Sequence, residues 1–173
     1  MQSTLTRLNT LLMQRNMLLA SLLAVILCSL VFQYLKARLG TMMLDEIDGY
    51  DRDTLVEHLL LYGDAGRRLH FWVTLCVDMV FPLAYGAFFG GLLARLARGT
   101  FVPLSFLALV PLLVLDWLEN IQFLVIFAQF PTLGDTQIAL ASATTWTKFW
   151  CIRLALLWLL ALVVARVWRK FYR

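Results

Sequence analysis

The sequence predicts an all-α polytopic membrane protein, a bundle of four transmembrane helices with a short amphipathic helix in the first outer loop. Hydrophobic residues make up 61% of the 173 and charged residues only 15%, where a soluble domain carries about 25% charged. The apolar residues come in blocks long enough to cross a bilayer, which takes about 20 residues of helix. The links between blocks are short, so residues 1–173 are expected to form one membrane domain.

The first span is expected over about 17–35, with no charge in it. No small-x-small cleavage pattern follows it near Lys36, so it reads as retained rather than as a signal peptide. In the acidic loop that follows, Asp51 or Asp53 can cap a helix over 52–62. Its apolar stripe is Leu55, Val56, Leu59, Leu60 and Tyr62, and Gly63 is placed to stop it. Such a helix lies in the membrane interface or folds over the bundle mouth. The run Asp45–Asp53 is out of register for an EF-hand and reads as a solvated loop. The second span, about 69–94, contains Pro82 four residues after Asp78, which robs the Asp78 carbonyl of its helical donor. Gly86 and Gly90 form a GxxxG that lets another helix approach closely, from this chain, a second copy or a partner protein. The third span, about 101–129, starts near Pro103, passes Pro111 and ends before Pro131, and the fourth is expected over about 146–165.

Orientation follows from the basic residues. Arg7, Arg15, Arg95, Arg98, Arg166, Arg169, Lys170 and Arg173 flank the spans on one side with no acid among them. The positive-inside rule puts both termini in the cytoplasm, and the expected location is a bacterial inner membrane. Basic residues distributed by topology give no reason to expect nucleic-acid binding.

Ionisable residues inside spans are rare and usually functional. Asp78, Asp116, Glu119 and Arg153 fall within the apolar runs at similar depth, three negatives against one positive. Asp116, Glu119 and Asn120 share one helix face at i, i+3, i+4, and Tyr85 belongs to a polar stripe with His70, Thr74 and Asp78. Arg153 shares a face with Trp146, Phe149 and Trp150, while Lys148, nearer the surface on another face, is expected to snorkel. The acids would titrate as one coupled set. The predicted ligand-binding set is therefore Asp78, Asp116, Glu119, Asn120, Arg153, Tyr85, Trp146 and Trp150. No histidine lies at helical spacing from a serine or cysteine, and no metal or other cofactor is predicted.

The four-helix count, Asp78, the Asp116–Glu119–Asn120 cluster and the aromatic fourth span with Trp146 and Trp150 are loosely similar to the EXPERA group of sterol isomerases and sterol- or drug-binding receptors. The likeness is one of arrangement, with no contiguous motif. It implies buried acids in an aromatic cavity that hold a cationic or carbocation-like centre. The expected function is an outward-opening acidic intramembrane pocket for an amphipathic, cationic or lipid-like ligand, in contact with membrane lipids. Two alternatives are a lipid-modifying isomerase or hydrolase, with Asp78, Asp116 and Glu119 as acid and base, and an accessory or structural subunit of a membrane complex.

Overall fold

A computed structural model of the protein describes residues 11, 12, 14–96 and 101–171, with the side chains of these apart from 96, 101–108 and 169–171. It is all-helical, with no strand among the described residues, and four of its helical stretches are long and apolar enough to cross a membrane. Of the basic residues that set the expected orientation, Arg7, Arg98 and Arg173 lie outside the described residues.

Helix α1 spans Arg15–Leu39 and ends at Gly40, whose left-handed backbone (φ 67°) returns its N–H to the Lys36 carbonyl. A 3-10 turn, Leu44–Glu46, follows and is pinned by the Lys36–Glu46 ion pair at 2.8 Å. Helix α2, Arg52–Val73, begins at Asp51, whose carboxylate accepts the Thr54 N–H at 2.9 Å. Gly63 breaks it as its position predicts, with φ 64° and ψ 178°, a backbone region open essentially to glycine alone. The Leu59 carbonyl, one turn before that break, accepts from Arg67 at 2.6 Å. The first segment of α2 buries Leu55, Leu59 and Tyr62 in one cluster with Leu44, Phe123 and Ile126. Leu60, part of the apolar stripe expected from sequence, is exposed, because the contact needs only the narrow i, i+4, i+7 edge.

A π turn, Thr74–Asp78, joins α2 to helix α3, Phe81–Leu96. Helix α4 spans Phe101–Gln129 with Pro111 inside it. After the short link 130–134, helix α5 runs Asp135–Phe171. It starts well before the expected 146, so most of 131–145, expected as a loop between the third and fourth spans, is helix. In cross-section the helices run α1, α3, α4, α5, each packed on the next, while α1 and α5 hardly meet. The row therefore curls around a space instead of closing on itself. Leu19, Leu23, Leu27 and Leu30 on α1, and Leu154, Leu157, Leu160 and Val164 on α5, point away from it and are exposed. Patches of this size are the mark of a surface that meets lipid or another protein.

Gly86 faces inward: a Cβ there would meet the Leu113 side chain of α4 at 2.9 Å, so the close approach it permits is taken up within the chain.

Candidate functional site

The π turn and Pro82 together break the hydrogen-bond ladder between α2 and α3. Two carbonyls are freed, and α4 supplies donors to both. Trp117 Nε1 donates to the Met79 carbonyl at 2.9 Å, and Asn120 Nδ2 donates to the Asp78 carbonyl at 3.0 Å. Asn120 is therefore a cap for a broken helix as much as a cavity residue; it is wholly buried. The break also turns the Asp78 carboxylate toward the interior.

On α4, Asp116, one helical turn before Asn120, and Glu119, next to it, meet α5. Asp116 is 6% exposed and Glu119 0%. Lys148 is their counter-ion: its Nζ reaches Asp116 Oδ1 at 3.2 Å and also bonds Glu119 Oε2. The Tyr85 hydroxyl donates to the second Asp116 oxygen at 3.0 Å. Lys148 does not snorkel; it is 6% exposed. The reason lies in where α5 begins. From the α4–α5 link, Asp116 is thirteen residues before Gln129 and Lys148 thirteen after Asp135, a depth of about 20 Å on each helix. A helix taken to start at 146 hides that match.

Arg153 lies elsewhere. It pairs with Asp48 of the first loop at 2.6 Å, with both side chains roughly half exposed, and its guanidinium stands over the Trp150 ring at 5.0 Å. Five residues separate it from Lys148 on one helix, so the two cations face different sides. Trp146 is 52% exposed and lines a shallow surface groove with Gly49, Tyr50 and Ser142, and Trp150 is also exposed. The structure thus brings together Asp78, Tyr85, Asp116, Glu119 and Asn120. Arg153, Trp146 and Trp150 form an outer edge instead. His70, from the predicted polar stripe, is buried among aromatic rings, 4.7 Å from Phe127 and 5.6 Å from Tyr62.

Asp45 joins the cluster although its segment reads as a solvated loop. Leu44 anchors the 3-10 turn in the core, fully buried, and so carries its neighbour inward. Asp45 Oδ1 is enclosed without a hydrogen-bond partner, and burial pushes its carboxyl above the usual range despite the opposing pull of Lys148. The sequence signal was the run Met42-Met43-Leu44, three apolar residues just before the acids of the loop.

These groups stand at one end of a cavity of about 360 Å³ bounded by α1, α3, α4 and α5. Its charged residues are Asp45, Asp78, Asp116 and Lys148; the remaining wall is apolar or aromatic, including Phe32, Phe81, Tyr85, Phe149 and Trp158. Along α5 it runs from Lys148 to Leu159, roughly 16 Å. The Asp45 turn stands over its charged end. Glu119 and Asn120 lie just behind the wall, with Glu119 Oε1 and Asn120 Oδ1 enclosed and unpartnered. Four carboxylates and one ammonium give a formal −3, and burying such a charge demands protons or a further cation. Among the described residues no three His, Cys, Asp or Glu side chains come together in a way that would hold a metal. Compared with protein-family models, curated proteins and solved structures, the chain matches none of them.

Proposed function

We propose that this chain is a four-span protein of a bacterial inner membrane, with both termini cytoplasmic, that binds an amphipathic, lipid-like molecule between its helices. The observation that carries this reading is the cavity itself: about 360 Å³, charged at one end and apolar over the rest of its length. That polarity matches a molecule with one polar end and one hydrophobic body, and the volume is within the range of small-molecule sites. The outward leucines of α1 and α5 suit contact with lipid tails. The gap between those same helices offers a route in from the bilayer, alongside the opening toward the outer face that the sequence suggests.

Native mass spectrometry of the protein in mild detergent tests this. The wild type should carry a defined small molecule that the Asp116→Asn/Glu119→Gln variant loses. A wild type that carries only bulk phospholipid would count against the pocket.

A second reading rests on the Lys148 bridge and the caps made by Trp117 and Asn120. In it the polar groups fix the order of helices in an accessory subunit. It predicts that neutralising Asp116 and Glu119 alters stability and leaves the bound species unchanged.

A further inference from the structure

The acids at the charged end divide into two pairs. Asp116 and Glu119 share Lys148. Asp45 and Asp78 line the cavity, yet neither has a cation within ion-pairing distance among the described residues. The nearby cations are committed: Lys36 to Glu46, Arg153 to Asp48, Lys148 to the α4 acids. Asp45 Oδ1 is in addition an enclosed acceptor with nothing donating to it.

Building on the amphiphile pocket above, we infer that Asp45 of the first-loop turn and Asp78 of the π turn together seat the ammonium group of a cationic amphiphile. An N–H donor there supplies the hydrogen bond that Asp45 Oδ1 lacks, and its single positive charge offsets one of the three uncompensated negative charges. Phe81 and Phe149 belong to the same wall. The tail then follows the apolar wall past Leu109 and Leu112 toward Leu159. Because Asp45 belongs to the loop and Asp78 to the bundle, the ligand also ties the two together.

The test uses three probes with one tail: dodecylamine, dodecanol and laurate, titrated separately into purified protein in mild nonionic detergent and read by native mass spectrometry. Wild type should bind dodecylamine at least about tenfold more tightly than dodecanol, since a hydrogen bond to a charged group contributes that much or more. Asp78→Asn and Asp45→Asn should each erase most of that preference while dodecanol still binds. Asp48→Asn removes a charge from the same loop outside the cavity and should leave the preference unchanged. Equal binding of all three probes by wild type overturns the cation seat but leaves the amphiphile pocket standing. If none of the three binds, the pocket itself fails. A preference that survives Asp45→Asn, a near-isosteric change outside the spans, overturns the role given to the loop.

Discussion

Lys148 and Arg153 are both cations of α5, and their energetics differ as their surroundings do. Breaking a buried ion pair by removing one partner costs about 3–5 kcal/mol, whereas a half-exposed pair such as Arg153–Asp48 contributes about 0–1 kcal/mol. Lys148→Met should therefore lower stability several-fold more than Arg153→Met, measured by reversible unfolding in mixed detergent. Adding Glu119→Gln to Lys148→Met should restore part of the loss. Asp45 makes a prediction of opposite sign to an ordinary surface acid. Its folded carboxyl titrates above its unfolded value, so its contribution to stability is fully present below about pH 3.9 and is lost as pH rises through the raised value. Asp45→Asn should flatten that decline and leave the variant more stable than wild type at neutral pH, in the same unfolding assay run across pH. The residue types and helical spacing of Asp116, Glu119 and Asn120 were legible in sequence, since i, i+3, i+4 on an apolar helix admits one face. The choice between Lys148 and Arg153 was not, because it depends on which residue opens α5. Asp45 was hidden for another reason: a loop residue's burial is decided by the neighbour that anchors it.

Helices α2 and α3 are broken or shaped by glycine and proline, and at Gly63 and Pro82 the structure follows the sequence. Gly63 stops the first segment of α2, and the carbonyl freed by Pro82 finds its donor in Asn120. The π turn had no sequence signal, since a one-residue expansion of the ladder leaves composition and apolar periodicity almost untouched. The glycines of α3 differ in what surrounds them. A Cβ on Gly86 meets only the flexible end of Leu113, while one on Gly91 presses on the Leu12 backbone carbonyl and, at 2.7 Å, on Leu18. Gly91→Ala should cost about 1–3 kcal/mol, the usual range for overpacking. Gly86→Ala should cost less, because Leu113 can turn aside. Thermal unfolding of the two variants side by side checks the order.

For the molecule as a whole, four stretches of membrane-crossing length were readable from composition and blockiness, whereas the curl of the helix row and the cavity it encloses were not. They arise from which helices fail to touch, and no periodicity encodes that. Orientation is open to direct test. In a cysteine-free background, Glu57→Cys should react with a membrane-impermeant maleimide on intact cells, and Arg15→Cys only after permeabilisation. The reverse pattern would turn the protein over. The bridge between α4 and α5 also bears on how the chain is made. Lys148 leaves the ribosome 29 residues after Glu119, and only the short link 130–134 lies between their helices. On the membrane reading proposed above, either helix inserted alone would bring unpaired charges into hydrocarbon, two carboxylates on α4 and the Lys148 ammonium on α5, at about 2.5–3.5 kcal/mol apiece. Entering as a hairpin, they bring an ion pair already closed. Biogenesis is thus expected to hold the third span at the insertion machinery until the fourth has been synthesised, so that the two leave it together.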